Sequence, residues 1–154
     1  MAIRRWLVAV AFLAYAAAHA ADRTPRVEKI QARLFLADTG TWSEPVPKNA
    51  TLWNTPIGEG WAKQPSTATF VTIALSGPAG HFEPNWRLEM QATRAQDGKT
   101  LVRQSQPLGT FSAQGRQHVG FWLPDTGCTP LTIQARLLPN GTPATLSLPF
   151  GCGE

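Results

Sequence analysis

The chain has 154 residues, 43% of them hydrophobic, with 14 Lys and Arg against 10 Asp and Glu for a formal charge of +4. That is one domain's length, enough to bury a core. The basic residues are scattered and do not interleave with aromatics, which argues against a phosphate-tracking surface and so against nucleic acid as a partner.

Residues 1–20 have the anatomy of a secretory signal peptide. Arg4 and Arg5 precede an apolar stretch over residues 6–18, and Ala18-His19-Ala20 supplies a small-x-small cleavage site. Thirteen apolar residues fall short of the about 20 that a helix needs to cross a bilayer, so cleavage is expected, with no membrane span remaining. The expected product is a single domain over residues 21–154, periplasmic or secreted from a bacterium. Loss of Arg4 and Arg5 takes the basic count from 14 to 12 and the formal charge to +2.

Over residues 27–36, Ile30, Ala32, Leu34 and Leu36 alternate with Lys29, Gln31 and Arg33. A period of two predicts a strand with one dry face. Residues 38–66 differ. Pro45, Pro47, Pro56 and Pro65 and Gly40, Gly58 and Gly60 punctuate them, and only residues 50–53 look strand-like. A long irregular connection of this kind often carries binding, and this one holds Trp42, Trp53 and Trp61 beside Glu59.

Residues 67–75 are β-branched and apolar and end at a Gly-Pro-Ala-Gly turn, residues 77–80. Trp86, Leu88, Met90 and Ala92 alternate, Asp97-Gly98 marks a hairpin, and residues 100–106 follow as its second strand. Val119, Phe121 and Leu123 form one dry face over residues 117–123; the adjacency of Phe121 and Trp122 means that one of the pair points away from it. Two further strands are predicted at residues 131–137 and 144–150, joined through Asn140-Gly141, a two-residue hairpin signal. Seven or eight short strands with turns about every ten residues, and 13 Pro and 13 Gly, predict an all-β, antiparallel β-sandwich of Ig-like or C2-like architecture.

Cys128 and Cys152 are the two cysteines. In an oxidising compartment an even count near the end of a short domain predicts one disulfide. Their numbers sum to within one of twice the expected turn centre at 140.5, so the two face each other across the open end of that hairpin. C-x-x-C spacing, which a thiolate metal site or redox pair favours, is absent.

No motif names a reaction. G-x-S-x-G is missing, and the acidic residues do not pair on one strand face as glycoside hydrolysis requires. His81 and Glu83 stand two apart but lack the P-C-x-x-C that a zinc deaminase needs. One metal reading is sharper. Cleavage after Ala18 would expose His19, whose amine and ring could chelate copper with His81 or His118. Cleavage after Ala20 removes that site. The sequence therefore favours an exported, non-catalytic binding or protein-interaction module, with no cofactor and with an envelope protein or glycan as partner. Its expected contacts are Trp42, Trp53, Trp61, Glu59 and His81. The alternative is a periplasmic copper-binding protein or copper redox enzyme.

Overall fold

In the computed structural model, residues 24–48, 50, 52, 53, 61, 65–124 and 128–151 are described. Among them are ten strands: β1 (Arg26–Leu36), β2 (Thr41–Trp42), β3 (Leu52–Trp53), β4 (Ser66–Ser76), β5 (Arg87–Arg94), β6 (Thr100–Pro107), β7 (Arg116–Pro124), β8 (Leu131–Leu138), β9 (Ala144–Leu148) and β10 (Phe150–Gly151). No helix among the described residues is long and apolar enough to cross a membrane.

Two antiparallel four-stranded sheets result, in the orders β2-β1-β4-β7 and β6-β5-β8-β9. The alternation read from the sequence dictates how they meet. Ala32 and Leu34 on β1, Val71, Ile73 and Leu75 on β4, and Val119, Phe121 and Leu123 on β7 form the dry face of the first sheet. Leu88, Met90 and Ala92 on β5 and Ile133, Ala135 and Leu137 on β8 form that of the second. The two dry faces join in one hydrophobic cluster, so the layers pack face to face. Trp86 is half-buried at its margin.

The strand count exceeds the expected seven or eight because three strands are only two residues long. Pro149, which has no N–H for the ladder, divides the expected strand 144–150 in two. Beyond it β10 leaves the sheet and runs parallel to β3, pairing Phe150 with Leu52.

The link between β8 and β9 also departs from expectation. The ladder closes at Ala135 and Ala144, leaving a wider connection than an Asn-Gly two-residue turn. Pro139 and Pro143 cannot donate to it, and Gly141 is not among the glycines with positive φ. Glycine is needed at 141 for space: a Cβ there would lie 2.6 Å from the Leu137 carbonyl oxygen.

The β5–β6 hairpin does use its glycine for conformation. Gly98 has φ +69°, and the Asp97 carboxylate accepts from the Lys99 N–H and from the Arg94 guanidinium. The Lys99 N–H, and after it Arg94, holds the Asp97 carboxyl below its ordinary value. A depressed carboxyl stabilises the fold above the unfolded-state value and loses that contribution as pH falls through the folded one. Asp97→Asn should therefore lower the thermal midpoint at pH 7, and the deficit should shrink toward pH 3. In the core, Ile133→Ala should cost about 2–5 kcal/mol in urea unfolding, against about 0.5 kcal/mol or less for Leu101→Ala at the exposed edge of β6.

Candidate functional site

A sheet with one dry face ordinarily turns polar residues to water on the other. The second sheet obeys. Its outward face carries Arg87, Glu89, Gln91, Arg103 and Arg136, tied across strands by Arg136–Glu89 at 2.8 Å, Arg103–Gln91 at 2.6 Å and Gln91–Thr100 at 2.9 Å.

The first sheet does not. The residues that alternate with its core set meet across β1, β4 and β7 in rows given by the pairing: Phe35, Ala68 and Pro124; then Arg33, Phe70 and Trp122; then Gln31, Thr72 and Gly120. Trp42 on β2 pairs with Phe35. Four aromatic rings thus gather at one end of a water-facing surface. Trp42 lies 5.3 Å from Phe35, 5.3 Å from Phe70 and 5.5 Å from Trp122, and Phe35 lies 5.9 Å from Trp122. The Trp42 and Trp122 rings stand nearly perpendicular, at 84°, the edge-to-face arrangement that ring quadrupoles favour. Even so packed, Trp42 keeps 43% and Trp122 42% of its surface in water. Ala68, flanked in its row by Phe35 and Pro124, is buried although it stands on the outward face.

Two local devices set the rings. Glycine in mid-strand weakens a ladder and often marks a close approach, and Gly120 is such a case: a Cβ there would collide with Phe70 Cζ. Its absence gives the Phe70 ring room beside β7. Trp42 is set by the residue after it. The Ser43 N–H donates to the Leu34 carbonyl at 2.9 Å, and the Ser43 hydroxyl accepts from the Leu34 N–H at 2.9 Å. The Arg33 guanidinium donates to the Ser43 carbonyl at 3.1 Å. The short strand β2 is thereby pinned along β1, and Trp42 with it.

The remaining expected contacts fare differently. Trp61 is half-buried against the core. Trp53 lies on β3, paired through Gly151, with its side chain outside the described residues. Glu59 is outside them too. His81 is exposed in the β4–β5 connection, where its carbonyl accepts from the Phe111 N–H. His118 is exposed on the outward face of β7. Among the described residues no three His, Cys, Asp or Glu side chains could together hold a metal ion; His19 and Cys152 lie outside those residues. Trp42 is thus the one expected tryptophan in the ring cluster, and its companions Phe35, Phe70 and Trp122 come from regular strands instead of the long loop. Their signal was a large aromatic on the polar parity of three separate strands.

No protein-family model and no curated protein matches the chain.

Gly120→Ala tests the ring geometry directly. The added methyl must displace Phe70, at about 1–3 kcal/mol for an overpacked site, and near-ultraviolet circular dichroism should change while the far-ultraviolet β signal persists.

Proposed function

We propose that this protein is an exported, non-catalytic binding module whose contact surface is the outward face of the β2-β1-β4-β7 sheet. The observation that carries this reading is the inequality of the two outward faces: one a solvated ladder of paired polar groups, the other a cluster of water-facing rings. Exposed apolar patches mark interaction sites, and Trp is enriched among the residues that dominate binding energy. Export rests on the leader over residues 1–20, with its basic start, short apolar stretch and small-x-small site. Trp42 keeps the role expected of it. The neighbouring 38–66 segment contributes that residue from β2, while Trp61 serves the core.

The strand order supports the Ig-like branch of the expected sandwich over the C2-like one. With β1, β4 and β7 read as strands A, B and E and β6, β5, β8 and β9 as C′, C, F and G, the two sheets follow the Ig-like pattern. A disulfide between Cys128 and Cys152 belongs to the same proposal. No cysteine among the described residues is free. Cys128 precedes β8 by three residues; its expected partner, Cys152, lies outside the described residues.

Trp42→Ala combined with Trp122→Ala should leave the thermal midpoint within a few degrees of the parent. It should lower retention on an immobilised ligand, screened among peptidoglycan, other glycans and envelope proteins, by at least about tenfold. Collapse of the fold instead would make the rings structural and end the reading. Cys152→Ser should do the reverse. The bridge closes a loop of about 25 residues, worth roughly 3–4 kcal/mol on the chain-entropy model, so the midpoint should fall while retention stays unchanged.

A further inference from the structure

The ring cluster occupies only one end of the outward face. Beyond the row of Gln31, Thr72 and Gly120 come Lys29, Ala74 and His118, and then Arg26, Ser76 and Arg116. Five rows two residues apart span about 26 Å along the strands. Over that length the rows run from the ring cluster, with Arg33 beside it, through uncharged polar residues to a basic end.

The charge at the far end is one-sided. Its acid, Glu28, accepts from the Ser76 hydroxyl and from the Arg26 guanidinium at 2.6 Å. Those two bonds, Ser76 first, hold its carboxyl below the ordinary value. Glu28 therefore stays ionised, and its charge acts on Arg26 first and more weakly on Arg116. Among the described residues neither Lys29 nor Arg116 forms an ion pair, and both are exposed. With His118 and the Arg26–Glu28 pair they border a hollow of about 540 Å³ that is open to solvent. Arg33 adds a third cation in the row of Phe70 and Trp122, at the aromatic end.

Resting on the assignment of this face as the binding surface, we propose that its ligand is an anionic polysaccharide laid along the strands, one sugar against the Trp42–Trp122 corner and acidic groups over Lys29 and Arg116. The geometry favours this over the other polymers and partners that aromatics and cations can serve. A protein interface concentrates its apolar area centrally inside a polar rim; here the apolar and basic areas lie end to end, as an elongated ligand requires. Single-stranded nucleic acid wants rings on which successive bases stack along a basic groove. The two exposed indoles here are perpendicular and gathered at one end, so they offer a corner for one ring and no stacking series. A sugar has apolar C–H faces for that corner and hydroxyls for Gln31, Thr72 and His118. Its acidic substituents supply the complement to the unpaired cations.

The test uses the mature protein with polygalacturonate, its fully methyl-esterified form, and a single-stranded DNA oligomer, measured by calorimetry at 0.1 M and 1 M salt. The acidic polymer should bind at least about tenfold more tightly than its ester at 0.1 M salt. That preference should vanish at 1 M, where screening falls from about 10 Å to about 3 Å. Lys29→Gln with Arg116→Gln should abolish the preference and leave binding of the ester unchanged, whereas Trp42→Ala with Trp122→Ala should abolish binding of both. Equal binding of acid and ester, with the tryptophan dependence intact, would overturn the anionic ligand and leave the contact face standing. Failure of both polymers to bind, a preference that survives the Lys29 and Arg116 changes, or a DNA oligomer competing as well as the polyuronate would also overturn it. Binding indifferent to the tryptophans would remove the face itself.

Discussion

Neighbouring residues of a β-strand face opposite ways, and that one constraint fixes both the interior and the proposed contact surface of this protein. Once Leu34, Val71, Ile73, Val119 and Phe121 are committed to the space between the sheets, Phe35, Phe70 and Trp122 have no choice of side. They stand on the other parity of β1, β4 and β7 and must meet water. A slip of one residue in any of these strands would exchange core for surface along its whole length. The same burial that stabilises the sandwich therefore also enforces the aromatic face, and the two cannot be separated by local rearrangement.

The outward rings are not leftovers of core formation. They contact each other at 5.3–5.9 Å, cover Ala68 and occupy a space kept clear by Gly120. A mid-strand glycine has a cost, since it gives β7 more freedom to lose on folding, and the Phe70 ring beside it recovers part of that by packing. Ser43 and Arg33 fix the short strand that carries Trp42. The opposite sheet meets the same need to face water with cross-strand hydrogen bonds and an ion pair. Both solutions are stable, but only one leaves large apolar groups accessible.

Much of this was legible from the chain. The strands with strict alternation appear within one or two residues of their expected ends, because period-two burial is a local signal: Trp86, Leu88, Met90 and Ala92 differ from expectation only in that the strand begins at Arg87. The ambiguity at Phe121-Trp122 resolves with Phe121 in the core and Trp122 outside. Less legible were features set by distant partners. The parallel pairing of β3 with β10 joins residues about a hundred positions apart and has no local signature. Asn140-Gly141 suggested a tight turn, but Pro139 and Pro143 on either side determine the connection. Three conspicuous tryptophans drew the sequence reading to the long loop, while the exposed ring cluster lies mostly on regular strands. What assembles the cluster is cross-strand register, which brings Phe35, Phe70 and Trp122 together from separate strands, each looking like an ordinary exception to its own pattern.

The most direct measurement is hydroxyl-radical footprinting read by mass spectrometry, on the free protein and in the presence of polygalacturonate. The account predicts that Trp42 and Trp122 are oxidised faster than the half-buried Trp61 and Trp86 when free, and that binding protects them together with the outward residues of β1 and β4. Slow oxidation of Trp42 and Trp122 in the free protein would contradict it, as would protection confined to the β6-β5-β8-β9 face.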